Sequence, residues 1–354
     1  MELSMLLDYA GDPRRAADEA AALESAGLDA VWVAEAWGFD SPTIMGYLAA
    51  RTERMKIGSA IVNVYSRTPA LIAQTAAGLD AVSGGRALLG LGASGPQVIE
   101  GWHGKPYDKP LGRTRETVDL CRRIWRRETI DHHGITDMPL PAAKGGRHGK
   151  PLKILTRPVR DRIPVYVASL GPANVALTAE IADGWLPTLF IPEKARAVWG
   201  SALAEGAAKR APELGPLQTV AGGLLAIGED AAAARDLARP QIALYVGDGG
   251  PPCSSEAESL GEGAVGKNFY NDLAVAYGYE EQARRIQELY LAGRKRDAAA
   301  AVPDEFCELM TLCGPEGYVR ERVEAFREAG VTMLNVTPVG PDPARLIETV
   351  KSWL

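Results

Sequence analysis

The chain has 354 residues, 46% of them apolar and 24% charged, and carries a formal net charge of −6. This is ordinary globular composition, and an acidic balance without a basic block argues against nucleic acid as a partner. "MELSMLLDYAGD" lacks the positive start and long apolar core of a signal peptide, and no run of 18 apolar residues is available to span a membrane, so a cytoplasmic setting is expected.

In chain order, the first strand reads at Leu3–Leu7. In "GDPRRAADEAAALESAGLDAVWVAE", Asp12 suits an N-cap and Pro13 the first helical turn, Ala16, Ala20 and Leu23 share a face, and Gly27 ends the helix before a strand at Asp29–Val33. Strands follow at Lys56–Val62, Ala87–Leu91 and Pro164–Ala168, with helices between. "GPANVALTAEIADGWLPTLF" repeats the pattern, with Leu177 and Ile181 on one helical face and a strand after Gly184. Thr219–Ile227 is the next strand. Near the end, Val319, Val323 and Phe326 lie at helical spacing, Gly330 terminates, and Val331–Val336 is the eighth strand. Eight near-continuous apolar strands, each followed by a helix, predict a parallel sheet covered on its outer side. Closed into a ring, this α/β pattern is a single (βα)8 TIM barrel over residues 1–354.

Two segments break the alternation: 129–162, rich in Gly, Pro, Lys and Arg, and 248–267, rich in Gly, Ser and Glu. Both are long for loops in a compact domain, and are expected to be insertions at the C-terminal face, as lids or as disordered stretches. Four cysteines, Cys121, Cys253, Cys307 and Cys313, form no CxxC pair and are expected to be free thiols.

The stretch Gly90-Leu-Gly-Ala-Ser-Gly95 spells GxGxxG, but it follows the fourth strand rather than the first. The next acidic residues, Glu116 and Asp119, fall in a helix rather than on a following strand, so it is not a dinucleotide fingerprint. Small residues nevertheless gather at strand ends. Strand three carries Ser59-Ala60 before Ile61 and then Asn63, a pattern that fits either a cofactor ring against the backbone or a bulge with a turn-forming Asn. "GLGASGPQV" after strand four and "ASLGPAN" after strand five lead small-residue turns into helices, whose free N–H groups suit a phosphate; an ordinary βα turn is the plainer alternative.

"LDAVSGGRALLGLGASGPQVIEGWHG", "GSAIVNVYSRTPALIAQ" and "ASLGPANVALTAEIADGWLP" together resemble the luciferase-like oxidoreductases, within them the branch that uses the deazaflavin coenzyme F420. The resemblance extends through nearly the whole chain, to "GPEGYVRERVEAFREAGVTMLNVTPVGPD". It implies a (βα)8 barrel, usually a homodimer, and hydride transfer between the deazaflavin and a small-molecule substrate. It also implies a non-proline cis peptide between Ala60 and Ile61, with Asn63 facing the ring. Gly92, Ala93, Ser94, Gly95, Gln97, Val98, Ala168, Ser169 and Gly171 would line the ribityl chain and phosphate. The His and Glu that related dehydrogenases place at strands two and four align with Ala36 and Gly95. The proton donor is therefore sought among Asp8, Glu35 and His103, each of which also reads as an ordinary loop residue.

An FMN-dependent monooxygenase and a non-catalytic cofactor-binding barrel are the alternative readings. Asp131, His132 and His133 lack the spacing and third ligand of a metal site, and no metal is expected. Lys105, Lys109, Arg113 and Arg115 suit either an anionic coenzyme tail or a solvated helix face. Trp32, Trp37, Trp102 and Trp185 sit near strand ends, and Trp37 and Trp102 are candidates to wall a substrate pocket.

Overall fold

A computed structural model describes residues 1–7, 11–229, 232–248 and 268–354. Eight parallel strands form the central ring: β1 (Glu2–Leu6), β2 (Ala30–Val33), β3 (Lys56–Ser59), β4 (Ala87–Gly92), β5 (Val165–Ala168), β6 (Gly184–Leu186), β7 (Gln218–Ala221) and β8 (Met333–Pro338). The ring closes because β8 pairs with β7 on one side and with β1 on the other, in the register Glu2↔Met333 to Met5↔Val336. Closure gives every strand two neighbours and removes the exposed edges of an open sheet.

Alternation along the strands sorts their side chains. Val31, Val33, Ile57, Leu89, Leu91, Val165, Val167, Leu334 and Val336 join the large core shared with the helices. Ala30, Trp32, Leu88, Tyr166, Leu186, Val220 and Met333 fill the barrel interior. Inside, large residues are matched by missing ones. The Trp32 and Tyr166 rings meet edge to face with centroids 5.0 Å apart, while a Cβ on Gly58 would lie 2.4 Å from the Trp32 ring and one on Gly184 2.1 Å from the Tyr166 ring.

The local grammar holds. Asp12 caps the helix Pro13–Ala22 by accepting from the Arg14 and Arg15 amides, and Gly27 and Gly330 turn the chain at φ of +102° and +90°. Two strands differ from expectation. The seventh breaks at Gly222-Gly223, and Leu224–Ile227 pairs with the end of β8 on one side and with Leu312–Gly314, a strand not expected from the sequence, on the other. A side chain on Gly222 would strike the Asn335 backbone carbonyl at 2.1 Å, and one on Gly223 the Met310 carbonyl at 2.2 Å, so only this glycine pair lets the chain step outward there.

The third strand also breaks. Gly58 pairs with Leu88, an offset of 30, whereas Val62 pairs with Leu91, an offset of 29. One extra residue has entered strand three, a β-bulge, and Ala60 and Ile61 both pack toward the barrel interior as a result.

Segment 129–162 forms a two-stranded hairpin, His132–His133 with Asp137–Met138, and a short 3-10 turn at Ala142–Lys144. The hairpin is held to the outer helix Pro110–Trp125, where Glu116 accepts from the Ile135 and Thr136 amides and Ile135 lies against Gly112, and the end of the segment is anchored by Arg160 on buried Asp80 and the Ala87 carbonyl. Residues 249–267 of the second expected insertion lie outside the described residues.

Because the Trp32 ring has no free volume beside Gly58, Gly58→Val is expected to destabilise the fold by about 3 kcal/mol, the upper end of overpacking penalties. Urea denaturation checks this; an unchanged midpoint would mean that the indole can swing clear.

Candidate active site

The C-terminal strand ends of a barrel carry its chemistry, and here they also carry the unusual backbone. Three non-glycine residues with positive φ sit just beyond strands: Ala36 (+45°) after β2, Ser94 (+59°) after β4 and Leu189 (+53°) after β6. Side chains seldom adopt this region unless the surroundings demand it. The Ala60–Ile61 peptide is cis, at the position implied by the resemblance.

The seam between β3 and β4 is very close. Ser59 donates from its hydroxyl to the Gly90 carbonyl (2.8 Å) and accepts from the Gly90 amide (3.0 Å). A Cβ at Gly90 would stand 1.8 Å from the Ser59 carbonyl oxygen, and one at Gly92 would stand 2.8 Å from the Ile61 side chain. Gly90 is therefore required by the backbone opposite it, whereas a side chain at Gly92 would have to displace the end of Ile61.

Downstream of the bulge, Asn63 is buried, only 4% exposed. Its Oδ1 accepts from the amides of Tyr65 (3.0 Å) and Ser66 (2.7 Å), and its Nδ2 lies 3.3 Å from Nε2 of His103, on the loop after β4. Two residues 40 apart in sequence thus meet at the mouth. The loop bearing His103 is fastened to the strand-three turn: Tyr65 stacks on Tyr107 at 5.3 Å and donates to the Asp108 carbonyl, Tyr107 donates to the Ser94 carbonyl, and Arg113 lies over the Tyr65 ring at 5.2 Å. Burial pushes both phenol pKa values up, so these tyrosines stay protonated donors.

The turn after β5 is held from behind. The indoles of Trp185 and Trp199 donate to the Ser169 and Leu170 carbonyls, each at 2.9 Å, and the Ser169 hydroxyl is buried against Thr178. Ser169 therefore offers a ligand its backbone rather than its hydroxyl. Gly171 begins the helix Pro172–Ile181 with no side-chain cap, and a Cβ there would lie 3.2 Å from Phe269. Gly95 begins the short helix Pro96–Gly101 in the same way, with Gln97 and Val98 in its first turn. The uncapped first turn at Gly171 leaves amides free for an anion.

Glu35 stands differently from the other candidates. It is 6% exposed and binds Arg67 through both oxygens at 2.6 and 2.8 Å, while Oε2 also accepts from the Ser41 amide. Hydrogen bonding to Glu35 pushes the Arg67 pKa up. The carboxylate thus ties the loop after β2 to the loop after β3, with both oxygens already engaged. Asp8 lies outside the described residues.

Trp37 and Trp102 are 61% and 65% exposed on the β2 and β4 loops, and Phe39 on the β2 loop is 60% exposed. Of the basic cluster, Arg113 pairs with Asp108 and Arg115 makes a two-pronged pair with Glu180, while Lys105 and Lys109 face solvent. His132 binds Glu116, and His133 binds Asp131 and Asp137, so these groups serve the hairpin. Cys121, Cys307 and Cys313 are free and buried, with burial pushing Cys307 and Cys313 up to about 11; Cys253 lies outside the described residues. Sequence reasoning missed Arg67, Tyr65 and Tyr107. The first two stand in "NVYSRTP", directly after the Asn that was recognised, and the proximity of a turn-forming Asn was the available signal.

Comparison with known proteins places this geometry. A family model described as luciferase-like monooxygenase matches residues 1–333. A Mycobacterium tuberculosis protein, provisionally assigned as a coenzyme F420-dependent oxidoreductase, is 38% identical over 98% of this chain and 97% of its own. A 5,10-methylenetetrahydromethanopterin reductase of Archaeoglobus fulgidus is 29% identical over 92% of this chain and 90% of its own. Among solved structures, the coenzyme F420 dependent tetrahydromethanopterin reductase from Methanopyrus kandleri shares the fold with a TM-score of 0.76 at 22% identity, over 100% of this chain and 97% of that one.

Removing one member of a buried ion pair strands the other. Arg67→Met is expected to cost about 3 kcal/mol of stability, and Glu35→Gln less, since the arginine left behind is the more exposed partner, 15% against 8%. Thermal denaturation of the two variants checks the order; equal losses would contradict it.

Proposed function

The chain belongs to the luciferase-like monooxygenase family, and we propose that it is a coenzyme F420-dependent oxidoreductase. It would transfer a hydride between the deazaflavin and a small organic molecule, reducing an activated C=C, C=N or C=O bond. The names of the relatives at 38% and 29% identity support this reading. The observation that carries it is the cradle of absent side chains at the ends of β3, β4 and β5. A Cβ at Gly92 would meet the end of Ile61 at 2.8 Å and one at Gly171 would crowd Phe269 at 3.2 Å, Ala60, Ala93 and Ala168 are minimal, and the helix after Gly171 lacks a cap. A flat ring with a phosphorylated side chain fits such a surface.

Ala60 and Ile61 would back the ring, with Asn63 beside it. Gly92, Ala93, Ser94, Gly95, Gln97, Val98, Ala168, the backbone of Ser169 and Gly171 would hold the chain and phosphate. When bound, the deazaflavin supplies a ring carbon that gives or takes a hydride. The protein's own share is orientation and the handling of charge. His103, beside Asn63 at the mouth, is the residue we assign to meet negative charge developing on the substrate, by hydrogen bond or proton. Glu35 is assigned a positioning role through Arg67, and Trp37 and Trp102 wall the substrate space. The exposed Lys105 and Lys109 are left to greet an anionic tail. The proposal includes one barrel over 1–354 with insertions at 129–162 and 248–267, acting as a cytoplasmic homodimer; family resemblance supports these last points.

Anaerobic mixing with reduced F420 and a panel of unsaturated carbonyl and imine compounds tests the assignment. Oxidation of the coenzyme that depends on substrate is expected, with His103→Ala lowering kcat about 100-fold or more. Oxygen consumption with reduced FMN, and none of the F420 chemistry, would move the protein to the monooxygenase reading.

A further inference from the structure

From the contact between Asn63 and His103 we infer that His103 works as a neutral hydrogen-bond donor through Nδ1–H, held in that tautomer by Asn63. The inference deepens the assignment of His103 to the substrate and rests on it.

The orientation of Asn63 follows from its neighbours. Two backbone N–H groups, of Tyr65 at 3.0 Å and Ser66 at 2.7 Å, point at one end of its carboxamide, so that end is the oxygen. The other end is then the NH2, and it faces Nε2 of His103 at 3.3 Å. An NH2 group can only donate. Nε2 must therefore accept, and an accepting imidazole nitrogen carries no proton. The neutral ring keeps its one proton on Nδ1. Protonation of Nε2 would set N–H against N–H and break this contact. Asn63 is itself held rigidly, being 4% exposed and bound within its own turn, and its placement beside the ring follows from the one-residue bulge in β3.

A neutral N–H can polarise a substrate oxygen or nitrogen without releasing its proton. As a hydride adds to the electron-poor carbon, the electron pair of the C=X bond moves to X, and the Nδ1–H hydrogen bond stabilises the charge there. The proton that completes X–H comes from water. Asn63 is in this account a positioning residue that acts through His103.

Histidine selectively labelled with 15N, in the full-length protein, reads the tautomer directly; there are four histidines to assign, and His103→Gln identifies the signal. The neutral ring of the unaltered protein is expected to show Nδ1 protonated and Nε2 bare. Asn63→Asp keeps the oxygen that accepts from Tyr65 and Ser66 but replaces the donor with an acceptor. It is expected to move the proton to Nε2 and to lower kcat with reduced F420 at least tenfold. A ring protonated on Nε2 in the unaltered protein, or an unmoved tautomer in Asn63→Asp, would overturn the inference. The tautomer is read without turnover, so its outcome is separate from that of His103→Ala: the expected tautomer with undiminished turnover in that variant would overturn the catalytic role of His103 while the Asn63 contact stood.

Discussion

The close approach of β3 and β4 governs the rest of the active face. Ser59 inserts its hydroxyl between the strands, bonding to both the amide and the carbonyl of Gly90. The ladder is interrupted there and resumes one residue out of step. That shift turns Ala60 and Ile61 toward the interior together, re-aims Asn63 at the mouth, leaves no space for a side chain at Gly90 and crowds Gly92 with the end of Ile61. A bulge is a device for redirecting a side chain at the cost of local pairing. Here its product is a small-residue wall with one polar group, an amide whose orientation is set by its own turn.

The remainder of the fold supports that seam. Trp32 and Tyr166 fill the interior beneath the mouth, over the glycines that make room for them. Further out, Trp185 and Trp199 brace the β5 turn by its carbonyls, and the Tyr65–Tyr107 stack fixes the loop that delivers His103. The buried Glu35–Arg67 pair joins the β2 and β3 loops. Each brace lies outside the surface where a ligand would sit, so the site is shaped by rigid neighbours and its lining can remain small. Such preorganisation is what hydride transfer requires of a protein that contributes position more than chemistry.

Much of this was legible in the sequence, because it rested on local rules. Helix caps such as Asp12, terminators such as Gly27 and Gly330, and apolar strand runs determined eight strands and their closure. Of the two readings of the strand-three pattern, the bulge is present, and the cofactor wall is the proposal built on it. What stayed hidden depended on contacts between distant residues. Glu35 reads as a free carboxylate until Arg67, 32 positions on, takes both oxygens. Ser169 reads as a lining hydroxyl until Thr178 takes it inward. The step from β7 to the Leu224–Ile227 strand escaped notice because periodicity continues across Gly222-Gly223 while the backbone does not. Segment 129–162 reads as a lid or a disordered stretch, and the hold of Glu116 on its hairpin appears only when the helix and the hairpin are brought together.

The central claim is that the wall of β3, β4 and β5 holds a deazaflavin in preference to an ordinary flavin. A fluorescence titration of the purified protein with oxidised F420, and separately with FMN, tests it most directly. The account predicts micromolar binding of F420, at least about tenfold tighter than FMN, a difference near 1.4 kcal/mol. Tighter binding of FMN would contradict it.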